Sequence, residues 1–146
     1  MSDQQRDGVA LYMRFADCFN QRDYAKLDEL MAQAFLDHHP GLVDVADLDV
    51  YRRNLKAVID ATEMIAHPEE VVQAGDKVFT RVKLTGRHVG RFLGVEPTGN
   101  AVEWYTNELW RVADGKLVER WAVDDLFGLV AQMGVDLPSW EDPASV

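Results

Sequence analysis

From Asp7 to Asn20 the apolar residues Val9, Tyr12, Met13, Ala16 and Phe19 recur at intervals of three and four, and Leu11, Phe15 and Cys18 widen the stripe. That period predicts a helix covered over much of its circumference. Asp23 can cap a second, short helix containing Leu27, Leu30 and Met31, and Asp47 a third presenting Leu48, Tyr51, Leu55, Val58 and Ile59. After these the period falls to two. Short strands are predicted at Ala34 to His38 and at Met64 to Gln73, where Pro68 calls for an edge or a bulge because it cannot donate to a ladder. Gly75-Asp76 turns the chain into Lys77 to His88, with Val78, Val82, Leu84 and His88 on one side and Arg81, Lys83 and Arg87 on the other.

Pro97-Thr98-Gly99-Asn100 reads as a turn into a long strand from Ala101 to Val112, and Asp114-Gly115 closes a hairpin onto a strand from Lys116 to Asp125. A final helix follows from Leu126 to near Met133, with Gly134 suited to a left-handed cap. Residues 136 to 146, with three acids and two prolines, are expected to form an irregular tail. Helices followed by an antiparallel meander predict a single α+β domain in which helices cover the concave face of a curved sheet, with a pocket between the two layers.

Composition sharpens this picture. A chain of 146 residues buries roughly 68% of the surface its unfolded form exposes, enough to enclose a cavity. Its 25 acidic against 15 basic residues give a net charge of −10, which opposes phosphate backbones and anionic lipid, so nucleic acid and membrane surfaces are not expected partners. No stretch approaches a membrane span, and the polar start from Met1 to Asp7 lacks the features of a signal peptide, so a cytoplasmic protein is expected. Cys18 is the only cysteine and lies in the first helical stripe, where it reads as a packed thiol. The four histidines lack the spacing of a metal motif, and no metal is expected.

The strand after the last hairpin carries the candidate chemistry. Strict alternation puts Leu117, Glu119, Trp121, Val123 and Asp125 on one face, leaving Asp125 among apolar neighbours. Desolvation disfavours the charged carboxylate, so its pKa is expected to rise toward the range useful for proton transfer near neutral pH. The competing role for Asp125 is to cap the helix at Leu126. His88 continues an inward parity and can donate to a substrate oxygen or stabilise an enolate. Glu108 shares parity with Val102, Trp104, Thr106, Trp110 and Val112, and an inward carboxylate there needs a partner, for which Arg111 and Arg120 are candidates. Glu119 raises the same question. His38, beside His39 and Pro40, is a candidate for the pocket. Phe15, Tyr51, Phe92, Trp104, Trp110 and Trp121 could wall a site for a flat, apolar ligand, although core packing is the default for each.

Several segments resemble a known family. Gly86-Arg87-His88-Val89-Gly90-Arg91-Phe92-Leu93-Gly94-Val95-Glu96-Pro97-Thr98-Gly99, Glu108-Leu109-Trp110-Arg111-Val112, Asp114-Gly115-Lys116-Leu117-Val118-Glu119 and the run from Trp121 to Leu129 resemble the SnoaL-like polyketide cyclases of the nuclear-transport-factor-two-like superfamily. Phe35-Leu36-Asp37-His38-His39-Pro40 and Ala74-Gly75-Asp76-Lys77-Val78 also match, and together the segments span nearly the whole chain. The resemblance implies a cone-shaped α+β barrel, a homodimer or homotetramer assembled through the sheet, and ring closure of an aromatic polyketide by intramolecular aldol condensation without metal or organic cofactor. It implies an aspartate of the last strand as acid/base, aligned most simply with Asp125. The chain departs from the family pattern at Asp124, where a larger residue is common, and at Ala46-Asp47-Leu48-Asp49, where a glycine is usual. A bulge of one residue would exchange Asp124 and Asp125 between faces. An isomerase or epoxide hydrolase on the same scaffold, or a noncatalytic binding domain, is the alternative.

Overall fold

The structure, a computed structural model, describes residues 7–39 and 44–138. Helix α1 spans Gly8–Gln21, α2 Leu27–Leu30 and α3 Leu48–Thr62; the strands are β1 Met31–His38, β2 Ile65–Ala74, β3 Lys77–Arg87, β4 Ala101–Ala113 and β5 Lys116–Asp124, and α4 spans Leu126–Gln132. The predicted second helix ends one residue early, because Met31 adopts extended backbone and opens β1. Asp47 accepts from the amides of Asp49 and Val50, so α3 carries the cap its sequence predicts. Residues 136–138 have no regular structure, and the rest of the expected tail, like Pro40, lies outside the described residues.

The five strands form one sheet in the order β1-β5-β4-β3-β2. Strands β2 to β5 are an antiparallel meander, and β1 adds to β5 in parallel. The sheet is curved and unclosed, an α+β architecture of the kind expected. Strand β2 is an edge, and the register shift between Pro68 and Glu70 gives the bulge that Pro68 calls for. Helix α1 packs on β2 and β3, α3 on β1, and α4 on β4. The concave side between them holds the core, with Leu11, Tyr12, Phe15, Phe35, Leu48, Val78, Trp110 and Leu117 buried. Gly86 fixes the approach of β3 to the end of α3, since a Cβ there would collide with the carbonyl of Thr62.

One irregularity decides what faces the core. The Asp114-Gly115 hairpin pairs Val112 with Leu117, but the next pair is Arg111 with Glu119, so Val118 is an extra residue on β5. Beyond it Trp110 pairs with Arg120, Glu108 with Ala122 and Thr106 with Asp124. The strict alternation expected along this strand is therefore corrected: Arg120, Ala122 and Asp124 share the inward face of Glu108, whereas Trp121 and Val123 are exposed on the outer face. Strand β4 has no such slip, and Val102, Trp104, Thr106, Glu108, Trp110 and Val112 are all buried as their parity predicts.

Candidate active site

Between the helices and the sheet lies a cavity of about 630 Å³. Its walls are mostly apolar: Tyr12, Phe15 and Phe19 from α1, Tyr51, Leu55 and Val58 from α3, and Val82, Leu84 and Trp104 from the sheet. Phe92 and Leu93 contribute from a tight turn in which Leu93 and Gly94 both take positive φ, 49° and 78°, and Leu126 and Leu129 contribute from α4. Burial pushes the phenols of Tyr12 and Tyr51 upward in pKa, so both stay neutral.

Set into this apolar shell is a connected row of polar groups. Thr80 Oγ1 donates to Glu108 Oε1 at 2.9 Å, and Arg120 Nε donates to Glu108 Oε2 at 2.6 Å. Arg120 Nη1 donates to Asp37 Oδ1 at 2.9 Å. His39 bridges the remaining acids, with Nδ1 at 3.5 Å from Asp37 Oδ2 and Nε2 at 3.2 Å from Asp124 Oδ1. Asp124 also accepts from Thr106 Oγ1 at 2.7 Å and from Trp104 Nε1 at 3.0 Å. Arg120 lies over the Trp110 ring, 5.3 Å from its centroid, and its buried guanidinium stays charged: desolvation opposes the charge, but the facing acids Glu108, Asp37 and Asp124 outweigh it.

These contacts set the protonation states. Burial alone would raise the pKa of Asp124, but the His39 hydrogen bond, the Arg120 charge and the Thr106 and Trp104 donors hold its carboxyl below the usual aspartate range. Asp37 is lowered for the same kind of reason, its burial outweighed by His39 and Arg120. His39 is raised to about 9, first by Asp124 and then by Asp37, against burial and the nearby Arg120. At neutral pH the carboxylates of Asp37 and Asp124 therefore face the cations of His39 and Arg120 across the cavity floor. The inward aspartate is Asp124, and its three donors and the nearby Arg120 outweigh the desolvation that would otherwise raise it.

The expected site residues separate into two groups. Phe15, Tyr51, Phe92, Trp104 and Glu108 line the cavity, and Glu108 has found Arg120 rather than Arg111 as its partner. The others lie elsewhere. Asp125 is placed not in the cavity but at the N-cap of α4, where its Oδ1 accepts from the Gly128 amide at 2.9 Å. Trp110 is fully buried in the aromatic packing of Tyr12, Phe15 and Phe35. Trp121 is on the outer face, stacked on His38 at 5.3 Å with 15° between the rings. His38 therefore points away from the cavity, its ring nitrogens 2.9 Å from Asp44 and 2.8 Å from Glu119, and Glu119 also binds Arg111. These acids raise His38, Glu119 first. His88 is fully buried just past β3, outside the cavity lining, and its Nδ1 accepts from the Thr98 amide at 3.2 Å. Its Nε2 has no partner among the described residues.

The sequence names Arg120 only as a possible partner of Glu108 and Asp124 only as exchangeable with Asp125 through a bulge, and gives Asp37 and His39 no site role, yet one signal points to two of the four. If Glu108 faces inward and needs a cation, Arg120 on the neighbouring strand must face inward too, and Asp124 follows at the same parity. His39 follows from Asp124 only once β1 is known to lie beside β5. Among the described residues, no group of three or more His, Cys, Asp or Glu side chains is arranged to hold a metal ion, and no helix is long and apolar enough to cross a membrane.

Known proteins share this fold and sequence to different extents. IdmH from Streptomyces antibioticus, described as a candidate polyketide cyclase, superposes with a TM-score of 0.76 at 31% identity, over 86% of this chain and 97% of its own. A SnoaL-like protein from Jannaschia superposes with a TM-score of 0.85 over 94% of this chain and 98% of its own; at 23% identity that likeness is one of fold. In sequence, the aklanonic acid methyl ester cyclase DnrD of Streptomyces peucetius is 33% identical over 78 residues, 52% of this chain. The match spans only 54% of DnrD. The sequence profile of the SnoaL-like polyketide cyclases covers residues 9–133. Matched along a stretch that contains every cavity residue described above, the chain belongs to the SnoaL-like polyketide cyclase family.

Proposed function

We propose that this protein closes a ring in an aromatic polyketide by an intramolecular aldol addition, with Asp124 as the acid/base. The observation that carries this reading is an ionised carboxylate at the end of β5, set in the wall of a 630 Å³ cavity that is otherwise largely apolar. Asp124 Oδ1 already takes two donors, whereas Oδ2 takes only the Trp104 indole, so Oδ2 keeps the lone pair that can accept a proton. The proton comes from a substrate carbon flanked by carbonyls. The resulting enolate carbon attacks a second carbonyl of the same molecule, the new carbon–carbon bond forms, and the alkoxide takes the proton back from Asp124. Substrate and product are isomers, so no oxidant or cosubstrate is needed. A carboxylate with weakened proton affinity gives the proton back readily, and the aromatic walls hold a planar substrate by face contact.

The reading rests on Asp124 rather than Asp125, and its test exploits the pair. Aklanonic acid methyl ester, the compound in the name of the DnrD relative, and related anthraquinone β-keto esters serve as probes. Chromatography with mass detection should show an isomeric product of unchanged mass with the wild type and none above background with Asp124→Asn. Equal turnover by the two proteins removes Asp124 from the mechanism.

We also infer a homodimer through the outer sheet face. Val72, Phe79, Leu109 and Trp121 are cross-strand partners in one line over four strands, and all four are exposed. A line of aligned, exposed apolar side chains favours self-association over solvent.

A further inference from the structure

We propose that His39 is the positioning residue of this site, an imidazolium that holds Asp124 ionised and aims its free oxygen into the cavity; this rests on the reading of Asp124 given above. The geometry is specific. His39 follows β1 directly, and β1 lies parallel beside β5, so the ring reaches across the strand boundary to the last inward residue of β5. It sits among residues lining the cavity, with one nitrogen toward Asp124 Oδ1 and the other toward Asp37 Oδ2. His38, one residue earlier, turns to the opposite face of the sheet. A ring held by a carboxylate at each nitrogen has neither rotational freedom nor a choice of tautomer once both nitrogens carry protons.

The groups facing this ring are Asp37 on β1, Arg120 and Asp124 on β5, Glu108 on β4 behind Arg120, and Tyr51 on α3, whose phenol lies within electrostatic reach of Asp37, Arg120 and Asp124. Arg120 Nη1 is 3.5 Å from His39 Nδ1 and opposes the imidazolium, but it is engaged by Glu108 and Asp37. The two acids prevail, and His39 is raised to about 9. Thr106 also donates to Asp124 Oδ1, so with His39 it fixes that oxygen and leaves Oδ2 as the atom that exchanges a proton. His39 thus acts on substrate through Asp124.

The two titrations must be reciprocal, which gives a test that needs no substrate. Nuclear magnetic resonance of carbon-labelled carboxylates and nitrogen-labelled imidazoles follows Asp124 and His39 in the wild type, His39→Gln, His39→Lys and Asp124→Asn. Gln keeps an N–H donor without charge, so the Asp124 midpoint should rise by about one pH unit or more, a tenfold gain in proton affinity. Lys restores a cation and should bring that midpoint back down. In Asp124→Asn the His39 midpoint should fall toward the ordinary imidazole value. Should His39→Gln fail to fold, this reciprocal measurement decides alone. An Asp124 midpoint unchanged by His39→Gln, or a His39 midpoint unchanged by Asp124→Asn, overturns the proposal. With the β-keto ester probe, the acid limb of the kcat profile should move up by the same amount in His39→Gln. A wild-type acid limb in that variant beside an inactive Asp124→Asn would overturn the role of His39 and leave Asp124 standing, whereas an active Asp124→Asn would remove the reading on which both depend.

Discussion

Replacing Arg120 by methionine deletes the charge that joins Glu108 to Asp37 while keeping an apolar stem of similar length over the Trp110 ring. Both acids are then left buried with no cation in contact except His39 beside Asp37. Removing one partner of a buried ion pair costs about 3–5 kcal/mol, because the other charge stays out of water uncompensated. For a domain of this size each kcal/mol lowers Tm by about 2–4 °C, so Arg120→Met should melt about 6–20 °C below wild type at pH 7.5. The deficit should depend on pH in a definite direction. In the wild type Asp37 and Asp124 have lowered folded pKa values, so their stabilisation is present above the unfolded value near 3.9 and is lost as pH falls through the lower folded value. In the variant desolvation, the largest single influence on both groups, is no longer opposed by the guanidinium. Their folded values rise, and acid relieves the strain by protonating them. Scanning calorimetry at pH 7.5 and 4.5 should therefore show the gap narrowing in acid. Adding Glu108→Gln to Arg120→Met should recover about 1 kcal/mol or more, since the pair shares one network. A variant that melts within about 2 °C of wild type at pH 7.5, or whose deficit is the same at both pH values, refutes the claim that Arg120 organises the cavity floor.

Two further outcomes follow from the placement of neighbouring residues. Asp125→Ala removes the cap of α4 and should cost about 0.5–2 kcal/mol in chemical denaturation, with turnover of the β-keto ester probe staying close to wild type; loss of turnover at wild-type stability would move the chemistry to Asp125. Leu109→Glu sets a charge between its cross-strand partners Phe79 and Trp121 on the outer face, and sedimentation velocity should shift the protein to monomer; an unchanged dimer excludes this face as the interface.

The elements that were legible in the sequence are those whose signal is local. The stripe from Val9 to Phe19, the cap at Asp47, the Asp114-Gly115 hairpin and the alternation of β4 each follow from residues a few positions apart, and the structure has all four. The inward direction of Glu108 and its need for a partner were legible for the same reason. The bulge at Val118 was not. A single extra residue leaves the composition of β5 unchanged and reverses every side chain beyond it, so Trp121 moved outward and Asp124 took the place expected of Asp125. His38 and His39 were misordered because strand β1 pairs in parallel with a strand about eighty residues away, which local periodicity does not encode. His88 read as continuing β3, but the strand ends at Arg87 and the ring folds back onto Thr98.

The adjacency of Asp124 and Asp125 gives the last strand a form of redundancy. A one-residue deletion after Arg120 would carry Asp125 into the position now held by Asp124, so the chamber would still receive a carboxylate. The cost would fall on α4, which would lose the side chain that starts it. A deletion in this strand is thus buffered, with the penalty moved to a short peripheral helix, whereas an insertion would carry Val123 into the inward position.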